Sequence, residues 1–205
     1  MLTADEALAR LREGNARFAG DRALAPARLH PARRAELVQG QAPFAIILGC
    51  SDSRVPAELV FDQGFGDLFV IRVAGNIVAS SQVGSVEFAA ARFGTRLVVV
   101  MGHSQCGAVY ATLDDLLGRA PAASRNLRSI LDRLRPSVEP LLRDGPADPE
   151  ALTAAAIRAN IAASVEHLRH GSPLLEDLIR DEGLRIVGAE YSLESGRVEF
   201  MEHPA

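Results

Sequence analysis

Apolar runs of strand length alternate along this chain with stretches in which apolar positions recur every three to four residues, and that alternation predicts its elements. The strand-like runs are Phe44 to Leu48, Asp67 to Val73, Leu97 to Met101 and Leu184 to Ala189. Helical spacing lies between them, at Pro56 to Phe61, Gln82 to Phe93 and Gln105 to Leu117. Strand and helix in alternation is the pattern of a parallel α/β sheet. A longer helical region precedes the fourth run, with candidate helices over Ala122 to Arg135, Pro149 to Arg169 and Pro173 to Asp181. Pro136, Pro140 and the Asp144-Gly145-Pro146 turn separate the first two of these. The tail from Glu190 to Phe200 reads as a strand, a Ser-Gly turn and an edge strand.

At the other end, Thr3 and Glu6 form a capping-box pattern, and Leu2, Ala7, Leu8, Leu11, Ala16 and Phe18 favour one side of a helix ending near Gly20. Residues 21–35 have no steady period and predict a loop leading to a short helix from Pro31 to about Gln39. Such an arm has little core of its own. It must pack on the sheet or on a second subunit, with Phe18 as the expected anchor. The expected fold class is α/β, a mostly parallel open sheet flanked by helices, with an N-terminal helical arm and an antiparallel C-terminal edge strand. A single domain over residues 1–205 is expected, comprising the arm at 1–40 and an α/β core at 41–205.

Composition narrows the function. A chain of 205 residues can bury one substantial core. The net charge is −4, from 22 basic and 26 acidic residues of interspersed sign, with no basic block to track a phosphate backbone. Nucleic acid is therefore not expected as a partner. Asp5, Glu6, Arg10, Arg12, Glu13 and Arg17 interrupt any secretory core in the first twenty residues, and no run approaches membrane-spanning length, so no membrane partner and a cytoplasmic location are expected. Only two cysteines occur, Cys50 and Cys106. That number suits metal binding or catalysis better than a disulfide framework.

Both cysteines lie where two strand runs end, in Cys50-Ser51-Asp52-Ser53-Arg54 and in His103-Ser104-Gln105-Cys106-Gly107. In an open parallel sheet, side chains just past the carboxyl ends of neighbouring strands converge on one crevice. Zinc takes four ligands from thiolate, imidazole and carboxylate, and Cys50, His103 and Cys106 offer a Cys2His set. Asp52 has two possible positions, on the metal or beside it. A guanidinium from Arg54 would hold that carboxylate ionised and fix its direction, leaving a position free for water. A cysteine at the end of a buried strand can also be a small hydrophobe, and a redox thiol pair is the main competing chemistry.

The sequence resembles the β-class carbonic anhydrases through Cys50-Ser-Asp-Ser-Arg-Val-Pro56, Gly66-Asp-Leu-Phe-Val-Ile-Arg-Val-Ala-Gly-Asn76 and Gly102-His-Ser-Gln-Cys-Gly-Ala108. The resemblance is close over about residues 40–110 and holds in outline elsewhere. It implies one zinc per chain on Cys50, His103 and Cys106, with Asp52 as a further ligand only in a closed state. It implies reversible hydration of carbon dioxide to bicarbonate and a proton, by attack of zinc-bound hydroxide that the Asp52-Arg54 dyad orients. It places Gln41, Phe69, Phe88 and the Gly107 N–H around the substrate, Phe88 usually reaching in from a neighbouring subunit. A homodimer or dimer of dimers is implied as well.

Two departures from the family pattern qualify these expectations. Arg92 stands where some relatives carry a histidine, and Phe88 where they carry tyrosine, so no dedicated proton-shuttle side chain is implied. Another subgroup binds bicarbonate in a non-catalytic pocket of Trp, Arg and Tyr. Arg72 and Tyr191 match two of these positions, but Ile47 occupies the third, which leaves the pocket half built. Hydrolysis of carbonyl sulfide or carbon disulfide on the same scaffold, and a non-enzymatic metal or redox sensor, are the alternative functions.

Overall fold

The computed structural model describes residues 2–24 and 31–201. Five strands form one sheet: β1 (Ala45–Gly49), β2 (Leu68–Arg72), β3 (Leu97–His103), β4 (Arg185–Tyr191) and β5 (Val198–Met201), in the order β2-β1-β3-β4-β5. The first four are parallel and β5 is antiparallel to β4. Every residue of β1 and β3 is buried, because both faces are covered, and this explains their unbroken apolar sequence. Side chains leave a strand alternately on its two faces. Ile46, Leu48, Val98, Val100 and Ile186 accordingly share one core cluster, while Ala45, Ile47, Val99, Met101 and Val187 share the other.

The first face is covered by α4 (Ser80–Phe93), α5 (Gly107–Leu116), α6 (Arg125–Val138), α8 (Pro149–His170) and α9 (Pro173–Asp181), and the second by α1 (Ala4–Ala19) and α3 (Ala57–Val60). Two short helices complete the elements, α2 (Pro31–Glu36), which runs into a 3-10 turn at Leu37–Gln39, and α7 (Leu141–Asp144). Part of the predicted loop at 21–35, namely residues 25–30, lies outside the described residues.

The Thr3 and Glu6 capping box is present at α1. The helix packs on its own sheet, with Phe18 against the edge of the same core cluster. Ala4, Ala7, Leu8 and Leu11 are its buried apolar residues, and Phe18 is half-buried beside Tyr191, ring centroids 6.5 Å apart. Gly14 allows the closest approach, since a Cβ there would sit 1.9 Å from the Phe61 carbonyl oxygen. Asn15 then ties the helix to the C-terminal hairpin: its amide donates to the carbonyls of Val60 and Gly196, and its carbonyl accepts from the N–H of Val198. Helix and strands thus share this core cluster.

Several boundaries differ from the sequence pattern. β3 and β4 each run two residues further, because Gly102 and His103 pair with Glu190 and Tyr191. The segment before the Ser-Gly turn is therefore the end of β4 and not a strand of its own. α6 begins at Arg125, capped by the Ser124 hydroxyl, and continues through Pro136 to Val138. Proline removes one helical N–H and crowds the preceding turn. Here Leu134 and Val138 are both fully buried on either side of it, and that burial holds the helix together.

Candidate metal centre

β1 and β3 are adjacent and parallel, so the segments leaving their carboxyl ends emerge side by side. Cys50 follows the last residue of β1, His103 ends β3, and Cys106 is the N-cap of α5. One ligand atom from each lies within 4.8 Å of the others, and all three residues are buried. Among the described residues this is the one His/Cys/Asp/Glu group so arranged. His103 Nδ1 faces the Ser104 carbonyl oxygen at 2.9 Å, while Nε2 is buried without a hydrogen-bond partner. A buried ring nitrogen so placed is costly unless something binds it. Both cysteines are free, and Cys50 Sγ accepts the Gly75 N–H at 3.3 Å. The hydrogen bond from Cys106 is the chief cause that lowers the Cys50 pKa, against the opposing effect of burial, and the same contact raises that of the Cys106 thiol. Two soft sulfur donors and an orphaned imidazole nitrogen, buried together, fit zinc.

Asp52 stands beside the ligands. Its Oδ2 is 3.9 Å from His103 Nε2, and it does not belong to the three-residue group. Arg54 takes both carboxylate oxygens: its N–H and Nε donate to Oδ1 at 2.9 Å each, and Nη2 donates to Oδ2 at 2.7 Å. Those side-chain hydrogen bonds hold the Asp52 carboxyl well below the usual carboxylate range, outweighing burial, with the backbone bond and the charge of His103 adding to them. Arg54 Nη2 also reaches the carbonyl of Gln105, whose φ of 55° turns that carbonyl out of the path of the chain. Of the two positions open to Asp52, the structure has it paired with Arg54.

Sequence spacing did not reveal what braces this loop. Arg72, the last residue of β2, donates from Nε to the Cys50 carbonyl at 3.0 Å and from Nη2 to the Asp52 carbonyl at 2.6 Å. It pins the loop between ligand and dyad from the neighbouring strand. The only clue was its position in an otherwise apolar run. On the far side of the metal ligands, Gly107 opens α5, and a side chain there would meet nothing within 4 Å. Its glycine is therefore not demanded by packing, and it stands at a helix N-terminus, a place suited to negative charge.

The other expected substrate contacts are not brought to this centre within one chain. Gln41 is exposed and precedes β1, whereas Cys50 follows it, so the whole strand, about 16 Å at ~3.3 Å per residue, lies between them. Phe69 pairs with Ile46, four positions before Cys50 or about 13 Å away along the strand. Phe88 is 54% exposed on α4 and stacks with Phe69 and Phe93 at centroid distances of 6.2 and 5.7 Å. Their aromatic cluster lies beside β2, the edge of the sheet.

Comparison with known proteins agrees with the fold. Residues 45–198 match the family model described as carbonic anhydrase. The chain is 38% identical over 194 residues to carbonic anhydrase 2 of Mycobacterium tuberculosis, covering 94% of this chain and 90% of that protein. It is 38% identical over 197 residues to a carbonic anhydrase of Mycolicibacterium smegmatis, covering 94% and 91%. Among solved structures, a tetrameric β-carbonic anhydrase of Sordaria macrospora superimposes with a TM-score of 0.77 at 25% identity, over 93% of this chain and 94% of that one. No described helix is long and apolar enough to cross a membrane.

Proposed function

The chain belongs to the β-carbonic anhydrase family of carbonate dehydratase enzymes, and from that membership we propose that it catalyses the reversible hydration of carbon dioxide to bicarbonate and a proton. The observation that carries this reading is the Asp52-Arg54 pair set against the Cys50-His103-Cys106 group, since a purely structural site has no use for an ionised, aimed carboxylate at its lip. Cys50, His103 and Cys106 would hold one zinc per chain, which supplies Lewis acidity that makes water a nucleophile near neutral pH.

The protein's own groups do the rest. Asp52, ionised and aimed by Arg54, accepts the hydrogen of the attacking oxygen and so turns a lone pair toward the substrate carbon. Arg72 keeps Asp52 at its height by holding the loop carbonyls. The Gly107 N–H donates to a substrate oxygen as negative charge develops on it.

Gln41, Phe69 and Phe88 complete the substrate pocket only if a second copy supplies them, because the sheet separates them from the centre of their own chain. Support for self-association comes from the exposed Phe88 cluster beside an open sheet edge and from the tetrameric state of the Sordaria macrospora relative.

Metal analysis combined with a carbon dioxide hydration assay tests the whole reading. One zinc per chain with hydration activity is expected; one zinc per chain and no hydration at any pH would overturn it. Carbonyl sulfide and carbon disulfide assayed in parallel separate the alternative substrates.

A regulatory expectation follows from Arg72. Its Nε and Nη2 each hold a loop carbonyl, and Ile47 is fully buried in the apolar core, so a bicarbonate pocket at Ile47, Arg72 and Tyr191 is missing the side chain at its third position. Activity measured against rising bicarbonate near pH 7 should fall gradually, as for simple product inhibition. A steep cooperative loss would contradict this.

A further inference from the structure

The N–H that bonds the Cys50 sulfur comes from an unusual turn. Gly75 and Asn76 are consecutive left-handed residues, with φ of 70° and 41°. A non-glycine residue pays a steric cost there, and such a pair persists only when its surroundings over-determine it. Asn76 does not hold the turn with its own amide, whose Nδ2 is buried without a partner. The restraint comes from α8. Asn160 Nδ2 donates to the Gly75 carbonyl at 2.8 Å, and the Ser164 hydroxyl donates to the Asn76 carbonyl at 3.2 Å, both in buried surroundings. The two residues are one turn apart and share a face. Ile161 seats that face against the sheet: a Cβ on Gly102 or on Gly188 would lie 2.6 or 2.8 Å from its side-chain atoms. The helix therefore lies close enough to β3 and β4 for a short asparagine to reach the turn.

We infer that Asn160 is a positioning residue for the metal centre: it holds the Gly75 carbonyl, and thereby the left-handed turn whose N–H donates to the Cys50 sulfur. The inference rests on reading Cys50, His103 and Cys106 as a zinc site. Hydrogen bonds to a ligand fix its orientation and tune its basicity, and their loss typically weakens metal binding by about 10- to 100-fold. Asn160 is one bond further out than such a partner, so an effect at the lower end, about tenfold, is expected.

The test compares full-length wild type, Asn160→Ala and Val165→Ala. Val165 is buried on the same helix but makes no bond to the turn, so its truncation lowers stability without touching the centre. Three quantities are read: the melting temperature without metal, the zinc dissociation constant by competition with a chromophoric chelator, and the thiolate-to-cobalt absorption band after cobalt substitution. Asn160→Ala should bind zinc about tenfold more weakly and shift the cobalt band. Val165→Ala should lose a comparable melting temperature and change neither. Asn160→Gln, which keeps the amide donor, should recover part of the affinity; this variant also carries the test if Asn160→Ala does not fold.

Unchanged zinc affinity and cobalt band in Asn160→Ala would overturn the inference, as would equal weakening in Val165→Ala. A wild-type protein that binds no zinc would overturn the metal reading itself, and the inference with it.

Discussion

Cys106→Ser is expected to release the metal and to lower carbon dioxide hydration on the order of a thousandfold or more, because the chemistry depends on the Lewis acid the site holds. Serine is nearly isosteric with cysteine, so the buried N-cap of α5 is not reshaped and the helix should persist. What changes is the donor. A hydroxyl is not deprotonated near neutral pH, while a thiol beside a metal is, and zinc prefers the sulfur. The remaining donors, Cys50 and His103, then make a two-ligand site too weak to retain zinc through dialysis. Metal analysis, circular dichroism and hydration rate on the same sample check the result. Full zinc content with full activity would remove Cys106 from the centre.

The second large effect concerns the dyad. Asp52→Asn should retain zinc, since Asp52 lies outside the three-residue group, yet lose about 100- to 1,000-fold in kcat/KM, within the range for a positioned acid-base group. The amide keeps the size of the side chain and discards its charge, so what is lost is the ionised acceptor and not the packing. Arg54→Gln separates charge from direction. The Asp52 pKa is lowered by Arg54, so its charged form is present above a point well below the usual range and is lost only as pH falls through it. Without Arg54 the pKa returns toward the ordinary value of about 3.9, and the carboxylate is still ionised at pH 7. Any loss of rate in Arg54→Gln at neutral pH therefore measures misdirection. Arg54→Gln with wild-type kcat/KM across pH 6–9 would show that the pair does not aim Asp52.

Much of the fold was legible in the chain. The four apolar runs became β1 to β4, and the tail became an antiparallel edge strand, because apolar periodicity reports burial and burial on both faces is what a central parallel strand requires. The Thr3 capping box marked the start of α1 and Pro173 marked that of α9, since each acts on its own first turn. Pro136 misled for the same reason: proline's local effect favours a break, and only the burial of Leu134 and Val138 against other elements outweighs it. Phe18 does pack against the core, but the close approach of α1 depends on a missing side chain at Gly14.

At the site, Cys50, Asp52, Arg54, His103 and Cys106 could be found because their relations are short-range: a strand end, an interval of two, a helix start. Asn160 left a fainter mark, a polar residue among Ile157, Ile161 and Val165 on the buried face of α8. Its partner is 85 positions away, and no spacing rule connects the two.

The sequence by itself determined which residue types stand at the ends of β1 and β3, and so the donor set and the charged pair beside it. The tertiary structure decided which strand neighbours which. Through that it decided that Arg72 braces the Cys50 to Asp52 loop, that α8 restrains the Gly75 turn, and that Gln41 and Phe69 stand a strand's length from the ligands they were expected to join. The physical reason is that side-chain chemistry and local periodicity are properties of a few adjacent residues, whereas register and helix seating follow from how all the buried surfaces close against one another.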